Sequence, residues 1–504
     1  MSSDEKIHEK KEKIKDLLRN KYFLSILFIL IFAFVIRIYF FSQTTQQAVW
    51  WDEAEYLSTA KKFAFNVQYE LNPQRPPLYQ FLIAILFWLG LGELSVKFIL
   101  TLLPSVLLVF CVYLLGVEMF NKKTAVIAAF FTAISWTFLF WAVRAQPDFL
   151  SVSFQVLSIA FMWKYWKNPS SKAIILSGIF SALGFLFKVS GLLVPLSFML
   201  FILIKDRFSA LKNKHYYYYA LAFIITLLPY FIWSQITFAT PFAFKYGYSN
   251  AVLSDTPVPF GWYNLDFFYT LTENALFLLF AIGVVLSVQF LLYLDILIKD
   301  RSKCFDSSLF SIIVLLVVSA FYIFYIRGTE DRWVYLWLPF IFLLAGKALL
   351  FVYERARPYN KFLALVFILV IIVYILFIQL SHANIIIKNK APSYMQVREA
   401  GLWLKENANK SDVVISASYT QTVYYSELNV THLNTPNFPS QEDFEIYLNN
   451  TKARFLIVSG FEYHPQWIYT WPQQNQLRVV PVQAYFADAE QKQPLLIIYE
   501  IGYN

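Results

Sequence analysis

The sequence predicts a polytopic α-helical membrane protein of about eleven transmembrane helices with a C-terminal extracytoplasmic α/β domain, because apolar runs of ~20 residues recur along most of it. Two further observations support that class. Of 504 residues, 58% are hydrophobic and 15% charged, with a mean hydropathy of +0.51. Soluble domains run about 45–50% apolar and about 25% charged. The net charge of +9 is also divided, for residues 391–504 hold 7 Lys+Arg against 11 Asp+Glu while the remainder is strongly basic. This composition excludes a soluble enzyme, a disordered chain and a nucleic-acid-binding domain. The period-2 alternation of an outer-membrane barrel is absent.

The elements follow in chain order. Residues 1–21 form a basic cytosolic N-terminus. The run from Tyr22 to Phe41 is long enough to span and lacks a small-residue cleavage site, so it reads as a first helix and not as a signal peptide. Further spans are expected at 95–117, 124–142, 149–166, 172–187, 190–204, 217–237, 272–298, 307–326, 332–350 and 361–380. The shorter run 77–91 begins with Pro76-Pro77 and is flanked by Gly90 and Gly92, as for an interfacial helix. Residues 22–390 thus form a transmembrane domain with long external loops at 42–94 and 238–270, and 391–504 a soluble domain. Neither Cys111, in an apolar span, nor Cys304, in a basic loop, suggests a disulfide framework or a zinc site.

Charge fixes the orientation. With the N-terminus inside, the cytosolic loops hold Lys122 and Lys123, Lys164 to Lys172, Lys205 to Lys214, Lys299 to Lys303 and Arg355 to Lys361, while the external loops are poorer. Counting 77–91 as a span would invert every later loop. The protein is therefore expected in the cell (plasma) membrane, multi-pass, with its C-terminal domain extracytoplasmic. In that domain Gln396 to Asn407 and 441–450 read as helices, and Asp412 to Ser416, Phe455 to Ser459 and Leu495 to Tyr499 as strands. Sequons at Asn409, Asn429 and Asn449 fit an external surface. His464 reads as a loop residue facing outside, without a catalytic role.

The polar residues at the external helix ends carry the functional signal. Asp52, Glu53 and Glu55 follow Trp50-Trp51 directly after the first span. They are either a solvated loop under an aromatic belt, or carboxylates held at the membrane surface as a general base or metal ligand. Arg144 and Asp148 lie four apart where the third span exits; Lys188 sits at an external turn; Arg332 opens the tenth span; Arg75 precedes Pro76-Pro77. By topology all lie on one face. Cations beside hydrocarbon suit a lipid phosphate, and a carboxylate there can deprotonate an incoming hydroxyl. A carboxylate at the bilayer surface is expected to have a raised pKa.

In order and sidedness, Asp52-Glu53, Arg-Pro-Pro-Leu at 75–78, Leu-Pro-Ser at 103–105, Arg-x-x-x-Asp at 144–148, Gly-x-x-x-Lys at 184–188 and Asp-Arg-Trp-x-x-x-x-x-Pro at 331–339 form one pattern. The pattern resembles the GT-C superfamily, and within it the protein O-mannosyltransferase and bacterial aminoarabinose transferase branch, over about 22–350. The resemblance implies a membrane glycosyltransferase that moves a sugar from a polyprenyl (dolichyl or undecaprenyl) phosphate donor to a hydroxyl of a protein, lipid or glycan outside the cytosol. It implies Asp52 as general base with Glu53 beside it; Glu55, three residues on and on the same helical face, is the competing base, and Arg144, Lys188 and Arg332, with Arg75 as the weaker candidate, are expected on the lipid phosphate. Asp148 takes the place of a second acid, a metal ligand in the related oligosaccharyltransferases. A divalent metal is the one cofactor the resemblance suggests, and its use stays open, as do the sugar and the acceptor. The competing classes are a polytopic transporter or lipid flippase, and a non-catalytic scaffold. A transporter is expected to show internal repeats and midplane charges.

Overall fold

The computed structural model describes residues 20–245, 265–289, 303–326, 330–487 and 493–503. The basic N-terminal segment, most of the 238–270 loop, the end of the 272–298 run and Arg327 lie outside them.

Helix α1 (Lys21–Gln43) starts at Asn20, whose side chain accepts from the Tyr22 amide. It buries Ile26, Ile29, Ala33, Arg37 and Phe40, a stripe at helical spacing that includes its one interior charge. Arg37 turns into the bundle, where its guanidinium donates to Ser105 Oγ at 2.8 Å and Ala133 O at 3.0 Å. Helices α2 (Trp51–Phe65) and α3 (Leu78–Trp88) fill the first loop. Phe81, Ile85 and Trp88 form an exposed apolar stripe on α3, as an interfacial helix requires. Helix α4 (Glu93–Met119) passes through a π turn at Phe98–Leu102, just before Pro104, which has no amide to give the ladder.

Helix α5 (Lys122–Ile134) stops at Ser135, and α6 (Trp136–Trp141) continues, so the expected 124–142 span is broken. The 272–298 run is also broken: α11 (Leu265–Thr272) and α12 (Asn274–Val288) meet at 117° about Glu273, whose φ is +56°. Backbone groups freed inside a membrane need internal partners. One side chain serves both breaks. Gln379 accepts from the Trp136 amide at 2.9 Å and donates to Thr272 O at 2.8 Å. Its helix neighbour His382 bonds Glu273 and stacks on Trp136 at 4.4 Å.

Helices α7 (Asp148–Lys167), α8 (Ser171–Phe187), α9 (Leu193–Asp206), α10 (Lys214–Phe238), α13 (Lys303–Ala320), α14 (Trp337–Ala356) and α15 (Lys361–Lys390) complete the bundle. Cys304 therefore lies in the first turn of a helix, not in a loop. Helix α7 is interior and tolerates polar residues: Ser151 donates to Gly184 O and Ser158 to Ser177 O, at 2.7 and 2.8 Å. Where α4 meets α5, a Cβ on Gly116 would lie 2.7 Å from Ala125 Cα, so that crossing requires glycine. Among the described residues seven helices are long and apolar enough to cross a membrane, or eight with the bent pair. The other expected spans are helical but broken, short or rich in serine.

The C-terminal domain begins with α16 (Met395–Asn407) and holds β1 (Val413–Ser416), α17 (Tyr419–Ser426), β2 (Asn429–His432), α18 (Gln441–Thr451), β3 (Phe455–Ser459), β4 (Val479–Phe486) and β5 (Pro494–Ile501). The order is β2-β1-β3-β5-β4, with β1 parallel to β2 and β3, and β5 antiparallel to β3 and β4. The expected helices and three strands are present. Strands β2 and β4 were not expected; β4 carries Pro481, which an edge strand tolerates.

Candidate active site

The site begins at the first turn of α2, in the loop that follows α1. Trp50 caps α2 and its amide donates to Glu53 Oε2 at 3.0 Å, which places three acids in the first turn and a half. A helix then separates them. Glu53 is fully buried, accepts from the Ala145 amide at 2.8 Å and lies 3.7 Å from Lys97 Nζ. It ties α2 to the loop before α7 and does not share the exposed side of Asp52.

Asp52 and Glu55, one turn apart, face Arg75. The Arg75 guanidinium donates to Asp52 Oδ1 at 2.8 Å, Glu55 Oε2 at 2.9 Å and Tyr56 OH at 2.7 Å. Asn72 donates to the other Glu55 oxygen at 2.5 Å. On its far side Asp52 Oδ2 accepts from Arg332, which also donates to Glu330 Oε1 at 2.8 Å and stacks 4.8 Å over Trp141. Asp52 therefore sits between two guanidiniums, one on each oxygen. Burial alone would raise its pKa, but Arg75 and Arg332 outweigh burial and hold it well below the usual carboxylate range. The expectation of a raised pKa at Asp52 is corrected by these two arginines. The acids that burial does push up are Glu330 and Asp331, the latter despite a 2.9 Å bond from Trp141 Nε1.

Arg332 also lines a small cleft with Asp148, Gln155, Lys188, Ser190 and Trp333, in which Lys188 pairs with Asp148. The Arg144–Asp148 ion pair that their spacing allows does not form. Arg144 is almost wholly buried, its guanidinium 3.9 Å from the Phe140 ring and 4.1 Å from Trp50, with its Nη1 on Phe140 O. The structure thus gathers Asp52, Glu55, Arg75 and Arg332, with Lys188 and Asp148 adjoining, and seats Glu53 and Arg144 behind them.

Asp52 and Asp148 are not free donors for a divalent ion. Both Asp52 oxygens and one of Asp148 are engaged by cations, and among the described residues no three acids, histidines or cysteines converge. Asn72, Lys97 and Trp141 escaped the sequence reading. Lys97 had a signal, a lone charge at the head of an apolar run.

The C-terminal domain closes over this end of the bundle. Tyr425 OH accepts from the Val49 amide at 2.8 Å, Thr420 Oγ1 donates to Trp51 O at 3.3 Å, and Lys61 pairs with Glu427 at 2.7 Å.

Residues 74–233 match the family model for dolichyl-phosphate-mannose-protein mannosyltransferase. That segment holds Arg75, Arg144, Asp148 and Lys188. No curated protein matches the chain. Among solved structures, ArnT from Cupriavidus metallidurans bound to undecaprenyl phosphate superposes over 94% of this chain and 98% of its own, at 13% identity and a TM-score of 0.64. The archaeal oligosaccharyltransferase AglB from Archaeoglobus fulgidus, in complex with an inhibitory peptide and a dolichol-phosphate, covers 86% and 69% at 14% identity and 0.63. The mycobacterial arabinofuranosyltransferase AftD covers 95% and 40% at 14% identity and 0.61. The chain therefore has the fold of the GT-C glycosyltransferases, and its residues 74–233 carry the protein mannosyltransferase pattern within that fold.

Proposed function

We propose that the chain transfers a sugar from a polyprenyl phosphate donor to a hydroxyl acceptor at the extracytoplasmic face of the membrane. The observation that carries this reading is Asp52 held between Arg75 and Arg332 beside the Lys188 cleft. Two similar folds are described with undecaprenyl phosphate and dolichol-phosphate, which supports a lipid phosphate here.

In this reading Arg75, Arg332 and Lys188 bind the donor phosphate. An anionic phosphate competes with Asp52 for the same guanidiniums and leaves its carboxylate free to act as base. The acceptor oxygen attacks the anomeric carbon as the bond from that carbon to the phosphate oxygen breaks. The acceptor proton passes to Asp52, and the polyprenyl phosphate leaves with the bonding pair, stabilised by the cations. Glu55 fixes Arg75. Glu53 and Arg144 are positioning residues behind the site. Without a fitting donor set, no step is assigned to a metal.

The orientation belongs to the same proposal: N-terminus cytosolic, eleven crossings, site and C-terminal domain outside. The Lys/Arg alternation supports it. A cysteine introduced at exposed Ser440 is expected to label from outside intact cells; labelling only after lysis contradicts it. The activity is tested by incubating purified protein with a synthetic polyprenyl phosphate sugar and hydroxyl acceptors in detergent. Glycosylated acceptor is expected, and no product with any acceptor contradicts the reading. A transporter would carry its charges near the midplane, whereas these cluster at one end.

A further inference from the structure

The end of the bundle opposite Asp52 encloses a second space. Helix α7 runs 20 residues, about 30 Å, from Asp148 beside the candidate active site to Lys167 at the far end. The last turn of α9 and the first turns of α10 and α13 gather there. Two cavities meet at this end. One is a groove of about 330 Å³ between α7, α8, α9 and α10, with an apolar wall that includes Ile174, Phe198 and Ile202. Its residues Met199, Leu203 and Tyr217 are about half exposed, so the groove opens on the outer surface of the bundle, where hydrocarbon lies. The other is a chamber of about 450 Å³. The rings of Trp163, Tyr165, Trp166 and Tyr216 line it, together with the charged groups Lys167, Asp206 and Asp306. Tyr216 lines both spaces, so the groove leads into the chamber.

The two acids are held in place by the helices they join. Asp206 Oδ2 accepts from Tyr216 OH at 2.6 Å, across the turn from α9 to α10. Asp306 pairs with Lys205 Nζ at 2.6 Å and accepts from Trp166 Nε1 at 2.9 Å, tying α13 to α9 and α7. An ionised carboxylate offers about four acceptor positions, so these contacts leave both able to accept further hydrogen bonds. Lys167 pairs with Glu118 at 2.8 Å. Lys172 and Lys214 stand in the first turns of α8 and α10, so cations ring this end at the level where lipid phosphates lie.

We propose that groove and chamber together bind one glycerophospholipid of the adjoining leaflet, with a primary-ammonium head group in the chamber and an acyl chain in the groove. The site lies a full helix length from the transfer site and does not rest on the transferase reading. The chamber suits an ammonium, because carboxylates accept its N–H groups and aromatic faces attract a cation. The lipid phosphate then falls beside Lys167. An anionic head group brings no cation to Asp206 and Asp306, and its charge is repelled by theirs. The apolar groove next to the chamber calls for a chain on the ligand, which a soluble amine lacks. A lipid seated here touches α7, α8, α9, α10 and α13 at once.

The test is native mass spectrometry of the purified, delipidated full-length protein titrated with dioleoyl phosphatidylethanolamine, dioleoyl phosphatidylglycerol or chain-free phosphoethanolamine. Saturable binding of the ethanolamine lipid is expected, about tenfold or more tighter than the glycerol lipid and than phosphoethanolamine. Asp206→Asn alters the chamber and Leu203→Trp fills the groove. Each should weaken the ethanolamine lipid about tenfold or more, and Asp206→Asn should also narrow its margin over the glycerol lipid. Thermal midpoints in detergent without lipid identify which variants keep the fold, and either one alone suffices. Equal, unsaturable binding of both lipids would mean surface lipid only and would overturn the proposal. So would wild-type affinity in a folded variant, and phosphoethanolamine binding as tightly as the lipid would show a soluble amine ligand in its place.

Discussion

Arg332 grips Asp52 across 280 residues of sequence, joining the loop that opens α14 to the first turn of α2. With Arg75 on the other carboxylate oxygen, Asp52 ties the first loop to the loop that opens α14.

The cations should separate by readout. Removing Arg332 or Lys188 as alanine takes away one charge-assisted contact, worth about 1.5–3 kcal/mol, or roughly tenfold to a hundredfold in donor use. Donor KM and kcat/KM measured with a fixed acceptor check this. Unchanged donor parameters in both variants contradict their role on the phosphate.

The grip on Asp52 has a pH signature. Its pKa is depressed, so the ion pairs contribute stability fully present above the ordinary carboxylate value of about 3.9 and lost as pH falls through the lower folded value. The acid limb of kcat/KM, which reports the free enzyme, is expected below the usual carboxylate range. In Arg75→Met one of the two opposing charges is gone while burial remains, and the limb should move to higher pH. A limb that stays in place would show that Arg75 does not set it.

Glu53 is expected to act through structure. Glu53→Gln keeps the shape but removes the charge facing Lys97 and weakens the bonds from the Trp50 and Ala145 amides. Lys97 keeps its ion pair with Glu93 at 2.7 Å, so the loss is that of weakened charge-assisted bonds, about 1.5–3 kcal/mol each. A large fall in thermal midpoint is therefore expected, with the rate lost alongside it. Full stability with abolished turnover would instead place Glu53 in the chemistry.

Gln379 bridges two helix breaks, so Gln379→Leu orphans the Trp136 amide and the Thr272 carbonyl at once. Each orphan costs about 1–3 kcal/mol. Thermal unfolding in detergent should show the loss, with donor KM in the surviving fraction unchanged. A wild-type midpoint would mean that the breaks find other partners.

Much of this was legible in the sequence. Apolar runs place nearly every helix, because length and hydropathy are local properties. The breaks at Ser135 and Glu273 were not legible, since neither is a proline or glycine and both are set by Gln379 from a distant helix. For the site, residue type and topological side pointed to Asp52, Arg75, Lys188 and Arg332. What spacing could not show is orientation: consecutive residues on α2 diverge by about 100°, and that sends Glu53 inward while Asp52 meets the arginines. Arg144 and Asp148, four apart, look like a pair, yet they do not share a helix: Arg144 lies in the loop after α6, Pro147 caps the start of α7, and Asp148 turns to Lys188. His464 sits in a loop, as its neighbours Tyr463 and Pro465 suggest, and only the fold shows that its ring is bonded to Ser459 O.

The most direct measurement is single-turnover transfer by Asp52→Asn at saturating polyprenyl phosphate sugar, with donor binding measured separately on the same preparation. General-base assistance is worth about 10²–10⁴-fold. The variant is expected to bind donor with Kd within severalfold of wild type and to lose transfer by that factor. Transfer at the wild-type rate would contradict Asp52 as the base, and with it the central role of the carboxylate held between Arg75 and Arg332.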